Sequence, residues 1–273
     1  MTAYNASETI ARAIKSTLHA MPKDAELVVH DDGSVDGTSA ILDNISDSRL
    51  RRLPVVGNLG YARGRQRLVA DTDSELIAVM DADDVTLPWR FQCQLPDLGR
   101  ADAIVSPVVR FSTDPLRVSL GLPGPVTPRV VPFLLTFGCP LAHPTLLMKR
   151  SALSRVGGYR DVVAEDFDLY IRLISENFVI TQGALHTVAY RNHSLQTSRK
   201  HGFNRAIEKD EDFQAAFDIF VESSFGIQRS RHATLLDHEE SRVVLRLARS
   251  QLSRIEMWRV LRYAAAQGVG PSA

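Results

Sequence analysis

The sequence predicts an α/β fold: a Rossmann-like sheet flanked by helices, followed by a helical tail. Three observations lead there. In the first hundred residues, short apolar runs rich in strand formers alternate with stretches of helical period. That α, β, α, β order builds parallel sheets with helices on both faces. The run Ile77-Ala78-Val79-Met80 ends in Asp81-Ala82-Asp83-Asp84, and open α/β sheets bind ligands just past such strand ends. From about Asn204 onward the pattern turns helical, with Leu245, Ala248, Leu252, Ile255 and Trp258 expected on one face.

Taken in order, Asn5 or Ser7 is expected to cap a first helix with Glu8 in its opening turn and Ile10, Ala13, Ile14, Thr17 and Leu18 inward. Residues 26–30 read as a buried strand. It ends in the acidic turn Asp31-Asp32-Gly33-Ser34-Val35-Asp36-Gly37-Thr38, which opens a second helix around Ile41, Leu42 and Ile45. A short strand at 51–55, the turn Asn58-Leu59-Gly60 and a third helix to roughly Thr72 lead to the Ile77 strand, expected to be buried and parallel. A sheet of this kind calls for a strand before Thr2. Several more apolar residues upstream are therefore expected, without which the sheet would have a gap or unpaired edges near its centre. After Thr86-Leu87-Pro88, a helix from Trp89 and a strand at 103–105 precede residues 114–136, which are rich in Pro and Gly and show no clear period, as in a functional loop. Strand character returns at 145–148, Gly157-Gly158-Tyr159 marks a turn, Glu165 opens an acid-started apolar helix, and 187–190 is a final strand.

The balance of 32 basic and 32 acidic residues gives a formal net charge of zero. No global electrostatic pull toward nucleic acid or a membrane surface follows, and nucleic acid is not an expected partner. Cys93 and Cys139 make neither a disulfide framework nor a metal cluster, which suits a reducing compartment. The apolar run 130–137 is too short to span a bilayer and contains Pro132. With no signal-peptide layout at the start, a cytoplasmic protein is expected.

Three carboxylates within four positions repel one another, so a compensating cation is expected at Asp81, Asp83 and Asp84. Oxygen ligands without Cys favour Mg²⁺ or Mn²⁺ over zinc. The bland alternative is a solvated acidic turn that caps the next helix.

Several landmarks in the same order resemble the family 2 glycosyltransferases, inverting enzymes of the GT-A fold: Met1-Thr2-Ala3-Tyr4-Asn5, the Asp31–Thr38 turn, Asn58, Gly60 and Arg65, Asp81-Ala82-Asp83-Asp84, Gly157-Gly158-Tyr159, Glu165-Asp166 and Tyr190-Arg191-Asn192-His193. Gln66 stands where the family usually has asparagine. The resemblance covers roughly 1–200 and implies a GT-A domain there, nucleotide-binding over about 1–100 and acceptor-binding over about 101–200, with 201–273 as a helical extension. It implies that Thr2, Tyr4 and Asp32 hold the base of a nucleotide-diphosphate sugar, a UDP-sugar first of all. Asp81 meets the ribose or the metal shell, and Arg65 the phosphates. Asp83, Asp84 and His193 become metal ligands, and Asp166 the base that deprotonates an acceptor hydroxyl. A helix start would favour ionised Asp166; the rival reading, that Glu165 and Asp166 merely cap that helix, is the less favoured one.

Gln196-Thr197-Ser198-Arg199-Lys200 has a Q-x-x-R core without the tryptophan of the processive polymer makers, so a single-addition enzyme is expected, acting on a glycan or lipid-linked acceptor. Six arginines against Glu256 in 242–262 suggest peripheral contact with the inner face of a membrane, against which stand docking on the catalytic domain and dimerisation. Two rival functions remain: a sugar nucleotidyltransferase, which would need a glycine-rich basic loop that Asn5-Ala6-Ser7-Glu8 does not supply, and a sugar-nucleotide-binding module without activity.

Overall fold

The computed structural model describes residues 1–113, 116–121, 124–193, 202–229 and 236–269. Strands β1 (Thr2–Ala3), β2 (Leu27–Asp31) and β3 (Leu50–Arg52) form a parallel sheet, flanked by α1 (Ile10–Ala20), α2 (Thr38–Asp43) and α3 (Tyr61–Ala70). All of β2 is buried, the apolar Leu27, Val28 and Val29 together with His30 and Asp31. Helix α1 buries the expected face, Ile10, Ala13, Ile14, Thr17 and Leu18. Its start differs. The helix begins at Ile10 after Thr9, without a side-chain cap. Asn5, at φ +48°, instead accepts the N–H of Val35 at 2.9 Å and donates its own to Ser34 Oγ, while Ser7 N–H bonds Asp36. The residues expected to cap a helix therefore lock the first loop onto the second.

The second sheet runs β10 (Ile180–Gln182), β6 (Ala103–Val105), β9 (Leu147–Lys149), β4 (Leu76–Ala78). Here β10 is parallel to β6, while β9 is antiparallel to both β6 and β4. This corrects the reading of β4 as a buried parallel strand: it pairs with β9 alone, and Leu76 is 39% exposed. Between β2 and β4 lies a groove lined by Leu27, Val28, Leu76, Ile77 and Ala78, with Met1 at its end. The Met1 ammonium donates to Val28 O at 2.8 Å, and burial lowers its pKa to about 5.

A third sheet, β5 (Val85–Thr86), β11 (Val188–Arg191), β7 (Val108–Thr113), β8 (Leu116–Leu120), carries the chain past the acidic motif. Part of the segment read as aperiodic is thus the edge of a hairpin, and α5 (Val131–Leu135), with Pro132 tolerated in its first turn, is helix. The remaining helices are α4 (Arg90–Leu98), α6 (Arg150–Arg155), α7 (Glu165–Ser175), α8 (Phe203–Lys209), α9 (Glu211–Phe225), α10 (His238–Gln251) and α11 (Arg254–Ala266).

Two of the three hydrophobic clusters among the described residues are large. One gathers Ile10, Ile14, Val29 and Leu42. The other joins Val105, Leu146, Leu169 and Tyr170 to Phe213, Phe217, Val244, Leu245 and Val260, so the tail shares a core with residues 103–180. The stripe expected on one face is broken at Leu252, whose extended backbone (φ −104°, ψ 149°) ends α10, and Ser253 then caps α11. Leu245 and Ala248 dock inward, whereas Ile255 and Trp258 are exposed. No helix among the described residues is long and apolar enough to cross a membrane. The Q-x-x-R segment lies outside the described residues.

Candidate active site

The chain leaving β4 delivers three carboxylates beside a cation that sequence reading missed. Arg90, fully buried at the start of α4, donates to Val79 O at 2.8 Å and to Leu146 O at 3.2 Å. Burial lowers it to about 10, while Asp81 and Asp84 pull it back up. Asp84 Oδ1 accepts the N–H of Arg191 at 2.8 Å, but its buried Oδ2 has no partner among the described residues. Burial, then Asp81 and Asp83, push Asp84 well above the usual carboxylate range. Asp83 is pushed up by burial and by Asp81, with His193 Nε2, 3.0 Å from its Oδ2, opposing. An orphaned carboxylate oxygen and two raised carboxyls amount to a shortage of positive charge, which fits a hard divalent cation. The set is partial. No three His, Cys, Asp or Glu side chains converge among the described residues, so waters and donor phosphates would complete the shell. His193 is bonded to Asp83, and both could ligate only after that bond opens.

Arg65, which the resemblance set toward the phosphates, is engaged here by two carboxylates. The guanidinium lies 3.1 Å from Asp81 Oδ1 and in direct contact with Glu165, and the side chain is 12% exposed. Although burial would lower it, Asp81 and Glu165 keep Arg65 charged. It ties the donor-side motif to the first residue of α7. Burial also pushes Glu165 and Asp166 up against the pull of Arg65. The helix start was expected to hold Asp166 ionised; desolvation outweighs the helix terminus, and a carboxylate with a raised pKa is the better proton acceptor. One oxygen of Asp166 accepts the N–H of Phe167 at 2.8 Å.

On the base side, Asp32 accepts the N–H groups of Leu59 (2.6 Å) and Gly60 (2.9 Å) and faces His30 Nε2 at 3.2 Å. Its carboxylate is occupied in clamping the loop before α3. Tyr4 is 46% exposed and offers a ring face for stacking. The buried Thr2 Oγ1 has no partner among the described residues.

Behind Asp166 stands a frame that no sequence signal announced. His143 Nδ1 meets Tyr170 Oη at 3.1 Å and its Nε2 meets Tyr159 Oη at 3.0 Å. Burial holds the ring neutral. Tyr159 N–H donates to Gln66 Oε1 at 2.9 Å, and Arg172 donates to Gly158 O at 2.9 Å. Gly157 and Gly158 have φ +80° and +79°, and a Cβ on Gly158 would collide with the Gln66 amide. Arg172 also bonds Asp168, which fits its reading as an ordering residue.

A sequence model described as Glycosyl transferase family 2 matches residues 1–156. The succinoglycan biosynthesis protein ExoU of Rhizobium meliloti is 30% identical over 277 residues, covering 92% of this chain and 78% of that protein. EpsE of Bacillus subtilis is 28% identical over 185 residues, 64% of this chain, and the match spans 65% of its own length. Among solved structures, Staphylococcus aureus TarS 1–349 with UDP-GlcNAc aligns over 97% of this chain and 78% of its own, at TM-score 0.62 and 14% identity. The mannosyltransferase PcManGT of Pyrobaculum calidifontis, with GDP-Man and Mn²⁺, aligns over 99% and 79%, at TM-score 0.55 and 17% identity. At such identities the structural likeness is one of fold.

Proposed function

The chain belongs to glycosyl transferase family 2 and has its GT-A fold, and from that premise we propose an inverting, metal-dependent, single-addition transferase. It moves a sugar from a nucleotide diphosphate, a UDP-sugar first of all, to an acceptor hydroxyl in polysaccharide or glycolipid synthesis. One observation carries the reading: the single guanidinium of Arg65 joins two acidic groups, meeting Asp81 of Asp81/Asp83/Asp84 and Glu165 of Glu165/Asp166. Donor and acceptor chemistry need those two groups to be held in register.

In this reading Tyr4 stacks on the base and Asp32 keeps the base loop in place. Asp83 and Asp84, with His193 in reach, would hold Mg²⁺ or Mn²⁺. When bound, such a cation supplies Lewis-acid stabilisation of the departing diphosphate. Asp166 takes the proton of the acceptor hydroxyl as the new C–O bond forms at the anomeric carbon, and the electron pair of the breaking C–O bond leaves with the diphosphate. His143, Tyr159 and Tyr170 keep the start of α7 fixed while this happens.

The test is release of nucleotide from UDP-, GDP- and dTDP-sugars, followed by the variants Asp166→Asn and Asp83→Asn with the donor that works. Asp166→Asn should lower kcat by roughly 10²–10⁴-fold with donor KM unchanged. Asp83→Asn should raise the Mn²⁺ concentration needed for turnover. Wild-type kcat in Asp166→Asn, or full turnover in chelator, would sink the reading. UDP binding with no turnover of any donor would favour a binding module. The family assignment leaves the nucleotidyltransferase reading without support.

A further inference from the structure

Among the described residues the hairpin β7–β8 ends the third sheet, and its two faces differ in chemistry. Paired residues on neighbouring strands project to the same side. The register Val109↔Leu120 and Phe111↔Val118 therefore gathers Val109, Phe111, Leu116, Val118 and Leu120 on one face. Arg110, Ser112, Arg117 and Ser119 form the other. On the apolar face Leu116, Val118 and Leu120 are 76, 65 and 66% exposed, more than ordinary packing of a strand leaves bare.

This face is continuous with the candidate diphosphate site. Phe111 is in register with Arg191 of β11, whose guanidinium lies over the Phe111 ring at 5.0 Å. The same guanidinium donates to Asp83 O at 3.2 Å, and the Arg191 N–H bonds Asp84. Three strand spacings, about 14 Å, separate β8 from β5, the strand that follows Asp84. An apolar ramp with a cation at its inner end, leading to the acidic motif, matches an amphiphile with an anionic phosphate head and a long aliphatic tail.

Resting on the transferase reading above, we propose that the apolar face of β7–β8 binds the aliphatic tail of a lipid-phosphate acceptor, with the phosphate head toward Arg191. The acceptor class is then a lipid-linked saccharide rather than a free glycan. Arg191 supplies charge complementarity to the head, and Val118 and Leu120 give the tail a dry surface that a short chain does not reach.

Two probes with the same head and different tails test this: farnesyl diphosphate and isopentenyl diphosphate, titrated calorimetrically against the full chain and against Val118→Asp. Circular dichroism and the urea midpoint would show that the variant, changed at an exposed position, is folded. The wild type should bind the long-tailed probe roughly tenfold or more tightly than the short one, and Val118→Asp should bring that ratio close to one. Equal affinities in the wild type, or a ratio that survives Val118→Asp, overturns the proposal. Loss of sedimentation with phosphatidylglycerol vesicles in Val118→Asp, with the probe ratio unchanged, assigns the face to the bilayer and overturns it too. Binding of UDP with Mn²⁺ to the wild type is read separately: its failure counts against the transferase reading, whereas the probe ratio reads the apolar face alone.

Discussion

Replacing Arg65 by methionine should be among the most damaging single changes near the site, through charge rather than volume. The guanidinium serves two carboxylates, Asp81 at 3.1 Å and Glu165 in direct contact, whose side chains are 31% and 14% exposed. Each pair is worth about 4 kcal/mol of Coulomb attraction at an effective dielectric near 20, much of it offset by desolvation. Removing one partner of a buried pair costs about 3–5 kcal/mol, because the other charge stays buried and alone. Water reaches Asp81 more readily than Glu165, so the expected loss is about 3 kcal/mol. Most of it should return in the double variant Arg65→Met/Glu165→Gln, which removes the stranded charge. The loss should also shrink on acidification. Without Arg65, Glu165 binds its proton more tightly in the folded than in the unfolded chain, so stability falls as pH rises. Urea unfolding of the two variants and the wild type at about pH 5.5 and 7.5 measures all of this. A loss below about 1 kcal/mol at the higher pH, or no recovery in the double variant, would refute the reading of Arg65 as a buried partner of both carboxylates.

Other outcomes follow from the same geometry. Gly158→Ala should cost about 0.5–1.5 kcal/mol more than Gly157→Ala: both pay about 1–2 kcal/mol for a left-handed backbone, but only the first makes the Gln66 amide swing away and give up the Tyr159 N–H, and thermal melts of the two would show the order. In a protein that starts at Met1, the buried ammonium falls from 8.0 to about 5. The unfolded chain then binds the extra proton between those values, so stability should rise with pH across that window, by at most about 4 kcal/mol. Acetylating the amine should flatten the trend in urea midpoints, and an unchanged trend would refute it. His143→Leu leaves two buried tyrosine hydroxyls without their partner. A loss of about 2–4 kcal/mol is expected, and a variant as stable as the wild type would show that the frame is slack.

The legible parts of the fold were those set by local pattern. The inward face of α1 followed from spacing alone, and so did the acidic turn closing β2. The motif at Asp81 was visible because three like charges at a strand end are hard to explain otherwise. What stayed hidden depended on partners far along the chain. Nothing near Ile77 says that its neighbour is Met148 running the other way, or that Arg65 meets Glu165 a hundred positions later. His143 looked ordinary, since its meaning lies in Tyr159 and Tyr170 arriving from two other elements. The apparent helical stripe of the tail failed at Leu252 because period persists in a sequence even where the backbone turns. Arg90 had a local signal, an arginine two residues past Pro88 beside three acids, but an arginine there reads as surface until burial is known.

The one-sided pairing of β4 bears on how the acidic motif behaves in solution. Val79 N–H reaches Leu146 O and Arg150 N–H reaches Glu75 O, both toward β9; alternation therefore turns the amides of Leu76 and Ala78 to the opposite flank. A strand anchored along one flank opens locally at lower free energy than the rest of the domain. Deuterium should enter these amides early, and a bound donor that ties down Asp81 and Asp83 should slow its entry at Leu76 and Ala78 as well as at the contacted residues. Substrate affinity would then include the work of stiffening this short ribbon, and a change that braced it in advance would tighten binding without adding a contact to the ligand.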